Sequence, residues 1–128
     1  MKEIKSLRAP QPSGAYSQGI EAGPFVFSAG MGPHDPRTGE VVGGGIEEQT
    51  ASTLENLSGL LGEAGMSLAD VVKVTAHLAR LERDFEGYDL TYRSYFSEPY
   101  PVRTTVGAQL AGILIEVDVV AIRDRSRA

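Results

Sequence analysis

One arginine stands alone among small and β-branched residues in Pro101-Val102-Arg103-Thr104-Thr105-Val106. A later apolar run, Ile113-Leu114-Ile115-Glu116-Val117-Asp118-Val119-Val120, carries two carboxylates. A guanidinium among such neighbours is costly to bury and is usually met by an anion. Its planar fork gives a carboxylate two parallel hydrogen bonds, which lysine does not match. These residues therefore offer a carboxylate receptor at Arg103 and a proton-handling or water-positioning group at Glu116. The plainer account is a structural ion pair between Arg103 and Glu116 on neighbouring strands, and the residues alone favour it. Asp118 shares a strand face with Glu116 by the period of two and reads as a solvated or interface charge.

Positioning such groups requires a framework, and the pattern predicts strands alternating with helices. Glu3 to Leu7 reads as a first edge strand ended by Pro10 and Pro12. Gly14-Ala15-Tyr16-Ser17-Gln18-Gly19 is a loop or short strand, and Phe25 to Ala29 is a buried strand by composition. Asp35 to Glu40 is a turn in which Pro36 sets one dihedral and Gly39 supplies a positive one. A helix runs from about Ile46 to Ala64 on the stripe Leu54, Leu57, Leu61 and Ala64, with Gly65 as its left-handed stop. Val71 to Ala79 is a β-branched strand, and a second helix spans about Phe85 to Phe96 with Phe85, Tyr88, Tyr92 and Phe96 on one face. That aromatic stripe reads as core rather than as a cofactor site. The pattern predicts an α+β sheet with both helices on one face, whose bare side is best covered by oligomerising.

Composition bounds the function. The 128 residues suit one domain, 1–128, with a sizeable core. Zero cysteines exclude disulfides, thiolate nucleophiles and cysteine zinc sites. The net charge of −5, with no basic stripe, argues against a nucleic-acid partner. The alternating tail Arg123-Asp124-Arg125-Ser126-Arg127 is expected to fray. No apolar run reaches a membrane span, and the N-terminal residues lack a signal-peptide core, so a cytoplasmic protein without membrane partners is expected. Gly43-Gly44-Gly45 lacks the lysine and preceding strand of a phosphate loop. His34 and His77 show no ligand spacing, so no metal site is expected; His77 should face a helix or a neighbouring subunit.

In order and spacing the motifs resemble the RidA/YjgF family of small reactive-imine deaminases over nearly the whole length. The resemblance is carried by Gly14 to Gly19, Ser28-Ala29-Gly30 with Pro33, and Pro36 to Glu40. Gln49, Thr53, Leu54 and Asn56-Leu57 extend it, as do Asp84-Phe85 through Tyr92 and Phe96. Its most specific part is Pro101 to Val106 followed by Ile115-Glu116-Val117. The resemblance implies a homotrimer of chorismate-mutase-like subunits with three clefts at subunit interfaces. It implies cofactor-free hydrolysis of 2-imino or enamine acids to 2-oxo acids and ammonia. In that reading Arg103 clamps the substrate carboxylate and Glu116 orients water. Tyr16, Ser28, Gly30 and the Thr105 backbone N–H line the site. The chain departs from the family pattern at Thr105, where many members have cysteine, and at Asp89, where asparagine is common. Met31-Gly32-Pro33 stands for a more usual Gln-Ile-Pro. Gly107 to Gly112 replaces a longer turn beside the cleft, which bears on the side chain the site accepts. A non-catalytic trimer that binds small carboxylates, as a regulator or chaperone, is the alternative; ribonuclease action fits the acidic composition least.

Overall fold

The apolar stripe of the first helix is realised as α1, Ile46–Glu63, in a computed structural model that describes residues 1–124. The Gly45 N–H donates to the Glu48 carboxylate at 3.1 Å, closing the first turn. Beyond Ala64, Gly65 takes a positive φ of 71°, and the Met66 N–H reaches back to the Leu61 carbonyl at 2.9 Å. Leu54, Leu57, Leu60 and Leu61 are fully buried, each contributing about 1.5–3 kcal/mol of burial.

Helix α2, Leu81–Tyr95, begins four residues earlier than the aromatic spacing suggests. Glu82 and Asp84 in its first turn favour the positive end of the helix dipole, a signal the aromatic stripe masks. Tyr88, Tyr92 and Phe96 are buried, whereas Phe85 is partly open.

Six strands form one sheet: β1 (Lys2–Ile4), β2 (Gly19–Ala22), β3 (Phe25–Ser28), β4 (Val71–Leu78), β5 (Val102–Gly107) and β6 (Ile115–Ile122). Their spatial order is β1-β2-β3-β6-β4-β5, with β4 and β5 parallel and every other pair antiparallel. The two helices pack on this sheet, so the expected α+β class is the class observed. The first strand is shorter than expected and starts one residue earlier. β2 starts at the last residue of the segment Gly14 to Gly19, predicted as a loop or short strand, and runs on to Ala22, a short stretch with little strand signal. The tail beyond Asp124 lies outside the described residues.

Strand register sorts side chains onto two faces. Val74 pairs with Arg103 and Ala76 with Thr105 across β4 and β5. Ala76 pairs with Val117 and Val74 with Val119 across β4 and β6. Val74, Ala76, Val117 and Val119 are buried beneath the helices, so Arg103 and Thr105 point to that side. His77 pairs with Glu116 and Thr75 with Asp118, which turns all four to the opposite face. Phe25 and Phe27 lie on that face too, 38% and 44% exposed, so β3 is buried through Val26 rather than throughout as its composition suggested.

Candidate functional site

Arg103 is held from three sides. Its Nη1 donates to Asp89 Oδ1 of α2 at 2.9 Å, with the two side chains 23% and 22% exposed. Its guanidinium carbon lies 4.6 Å from the Tyr92 ring centroid, 5.1 Å from Tyr88 and 5.7 Å from Phe85. Each such contact is worth about 0.5–2 kcal/mol when partly desolvated. The aromatic stripe is thus core along one edge and the floor of a cation site along the other. Asp89 also accepts from Arg93 Nη2 at 3.0 Å, one helical turn on. Burial pushes the Asp89 carboxyl up, but the hydrogen bonds from Arg103 and Arg93 outweigh it and leave the group below its ordinary value.

Thr105, two residues along β5, meets the Tyr88 hydroxyl through its own hydroxyl at 2.8 Å. Burial raises the Tyr88 phenol above its ordinary value, and burial lifts Tyr92 to about 12. The Tyr92 hydroxyl is buried with no hydrogen-bond partner among the described residues. Because β5 is an edge strand, part of its backbone N–H row faces away from the sheet. Arg103, Asp89, Tyr92, Arg93, Glu98 and Tyr100 surround a cavity of about 600 Å³.

Glu116 opens into a different cavity, also about 600 Å³, which it shares with Tyr16, Gly30, His34, Arg37 and Ile113. Loops build this one. Ser28 Oγ accepts the Val119 N–H at 2.9 Å, standing in for a backbone carbonyl where β3 ends. Pairing with β6 resumes at Met31, whose N–H and carbonyl bond Val117 at 2.8 and 2.9 Å. Ala29 and Gly30 are released between these two points. The Glu116 carboxylate packs directly on Gly30, and a Cβ there would come within 2.8 Å of Glu116 Cδ. A side chain at this position would push the Glu116 carboxylate out of its place.

Three buried amides hold the surrounding loops. Gln18 accepts from the Ser6 N–H at 2.7 Å and donates to the carbonyls of Ser6, Ala9 and Pro10. Asn56 donates to the carbonyls of Gly32 and His34, both at 2.9 Å. Gln49 accepts the Leu114 N–H at 2.9 Å and ties down the end of the 107–112 turn, whose Ala111 lines the cavity. Buried polar side chains need such partners; Gln49 and Asn56 meet theirs from α1 and Gln18 from the loop before β2.

The structure therefore brings Tyr16, Gly30 and Glu116 together, with Tyr16 half exposed and its hydroxyl accepting the Ser13 N–H at 3.2 Å. It groups Arg103 and Thr105 separately. Ser28 has its acceptor engaged by the sheet. The structural ion pair between Arg103 and Glu116 does not exist: β4 separates the two strands and the side chains leave opposite faces. His77 sits on the face away from the helices, its Nδ1 buried without a hydrogen-bond partner among the described residues. Among the described residues no three of His, Cys, Asp or Glu gather in a group that could hold a metal ion, and no helix is long and apolar enough to cross a membrane.

The family model described as Endoribonuclease L-PSP matches residues 6–123. The chain belongs to that family, the RidA/YjgF family. A RutC family protein of Pyrococcus abyssi is 45% identical over 123 residues, covering 94% of this chain and 96% of that protein. Escherichia coli TdcF, provisionally named a reactive intermediate deaminase, is 34% identical over 127 residues, covering 95% of this chain and 97% of TdcF. The structure of TdcF with bound serine superposes on this fold with a TM-score of 0.90 at 32% identity, covering 97% and all of the two chains. A Thermotoga maritima protein provisionally described as an endoribonuclease superposes with a TM-score of 0.92 at 37% identity, over 97% of this chain and 98% of that one. RidA/YjgF membership thus agrees with the α+β sheet and with a ligand that carries a carboxylate in one relative.

Proposed function

We propose that this RidA/YjgF protein hydrolyses reactive 2-imino and enamine acids to 2-oxo acids and ammonia. The observation that carries the reading is Arg103, a cation fixed on an aromatic floor with part of its fork open to a cavity. A fixed fork of this kind is a receptor for a small carboxylate. The amino acid bound by TdcF and that relative's provisional deaminase name support a small imino acid as the ligand here.

Chemistry then needs an acid–base group near the imine carbon, and Glu116 supplies it. Glu116 takes a proton from water as the water oxygen bonds to C2 and the C=N electron pair moves to nitrogen. It returns that proton to nitrogen, then takes the hydroxyl proton of the tetrahedral adduct and passes it to the departing nitrogen as the C–N bond breaks and the C=O bond forms, so that the oxo acid and ammonia leave. An enamine first takes up a proton at carbon to become the imine. No cofactor enters this balance. Orienting the water and acid is worth a share of the ~7–11 kcal/mol available from full pre-organisation. Tyr16 and Gly30 contribute a hydroxyl and a close backbone approach beside Glu116. Thr105 and the Ser28 hydroxyl proton are further contacts.

Arg103 and Glu116 of one chain leave opposite faces of the sheet on strands two positions apart, about 10 Å between backbones before the side chains diverge. One small substrate meets both when they come from two copies, which supports a site between protomers of a homotrimer. The test is imine clearance. A serine or threonine dehydratase generates the imine, semicarbazide traps it, and wild type, Arg103→Ala and Glu116→Gln compete. Wild type is expected to lower trapped imine, with Arg103→Ala losing at least ~100-fold in kcat/KM and Glu116→Gln losing ~100-fold in kcat. If the wild type fails to compete, the protein is the carboxylate-binding module instead.

A further inference from the structure

We propose that Asp89 sets the selectivity of the Arg103 clamp, admitting acids with one carboxylate and turning away acids with two. The proposal rests on the reading of Arg103 as a carboxylate clamp and names the acids it takes. Asp89 behaves as a resident carboxylate. Its Oδ1 accepts from Arg103 Nη1 at 2.9 Å, and its Oδ2 accepts from Arg93 Nη2 at 3.0 Å and Nε at 3.3 Å. Both oxygens are thereby engaged, each by a different arginine.

A guanidinium has five N–H donors, and Asp89 takes one of them. The rings of Tyr92 and Tyr88 fix the plane of the rest. One incoming carboxylate fits the remaining edge. A second meets only Arg93, whose Nε and Nη2 are already given to Asp89. The same cavity carries Asp89 and Glu98 against Arg93 and Arg103, so its formal charge is balanced before a ligand enters. The second carboxylate of a dicarboxylic acid would meet two like charges instead. Repulsion of this sort is how a site excludes a competitor that its attractive contacts alone would admit. Asp89 does not touch the reacting atoms in this scheme. It acts through Arg103, as a positioning residue.

The test separates charge from hydrogen bonding. Asp89→Asn keeps an oxygen for Arg103 and removes the charge, whereas Asp89→Ala removes both. Calorimetry on the intact assembly compares a 2-oxo monocarboxylate with a 2-oxo dicarboxylate of similar length. Clearance of the corresponding imines from a neutral and an acidic amino acid is measured in parallel. The wild type is expected to favour the monocarboxylate by about tenfold or more, and Asp89→Asn to shrink that preference by about tenfold. The change should appear in KM rather than kcat. Asp89→Ala should weaken both acids, with Asp89→Asn restoring the monocarboxylate. A preference that stays within twofold in Asp89→Asn overturns the proposal. If the oxo acids bind with the expected shift but no imine is cleared, the deaminase reading fails and the role of Asp89 stands. If neither acid binds to wild type or variant, the clamp fails and Asp89 falls with it.

Discussion

The two cavities are of similar volume but are made in opposite ways. The Arg103 cavity is walled by side chains of α2, by Arg103 of β5 and by Glu98, Tyr100 and Pro101 of the connection between them, with its charges paired across α2 and β5. The Glu116 cavity is walled by loop backbone, held by the amides of Gln18, Asn56 and Gln49 and by the approach at Gly30. Regular elements give a rigid anchor for the part of a substrate that never changes, its carboxylate. On the proposed reading the loops meet the substrate's side chain, and Ala111 of the 107–112 turn bounds that side. On the same reading, the Arg103 half anchors the carboxylate and sorts acids by charge, and the Glu116 half carries side-chain fit and chemistry.

The sharpest way to break this comparison is to mix two dead proteins. Arg103→Ala and Glu116→Gln, combined in equal amounts and allowed to exchange subunits, should recover about a quarter of wild-type activity if each site joins two copies in a ring. Clearance no greater than the sum of the separate variants would show that the two cavities never share a substrate. Next in size is Gly30→Ala, which forces the Glu116 carboxylate aside. It should cost ~10- to 100-fold in kcat, with KM within about twofold and little change in melting temperature. An unchanged kcat would detach Gly30 from the chemistry.

The smallest expected effect concerns Asp118, on the Glu116 side. Burial raises its carboxyl pKa, against the lowering influence of His77 and Lys73. The folded state therefore disfavours the charged form. That penalty is present at neutral pH and disappears as pH falls through the raised value. Asp118→Asn should raise the melting temperature by about 2 °C at pH 7 and by nothing in acid. Equal shifts at both pH values would assign the effect to packing.

Much of the framework was legible in the residues, and the limits were physical. The stripe of α1 and the glycine after it predicted that helix to within a residue. Period two correctly grouped Glu116 with Asp118. Periodicity is silent on the order of strands in space, so it missed β4 lying between β5 and β6, and with it the separation of Arg103 from Glu116. Asp89 was visible as a departure at the right place, three residues before Tyr92 and four before Arg93, yet nothing local said that β5 would bring Arg103 across it. The motif around Ser28 points its hydroxyl at a ligand, whereas its oxygen accepts from Val119; that bond depends on where β3 stops pairing, a long-range event that short motifs do not encode.

The rings beneath Arg103 have one more consequence. The chain has five tyrosines and no tryptophan. Two of the five, Tyr92 and Tyr100, border the Arg103 cavity, and a third, Tyr88, lies buried with its ring 5.1 Å from the Arg103 guanidinium, while Tyr95 is bonded to Glu55 and Tyr16 lies in the other cavity. Ultraviolet emission from this protein is therefore tyrosine emission drawn largely from the clamp, a built-in optical gauge of whether an acid has settled on the arginine.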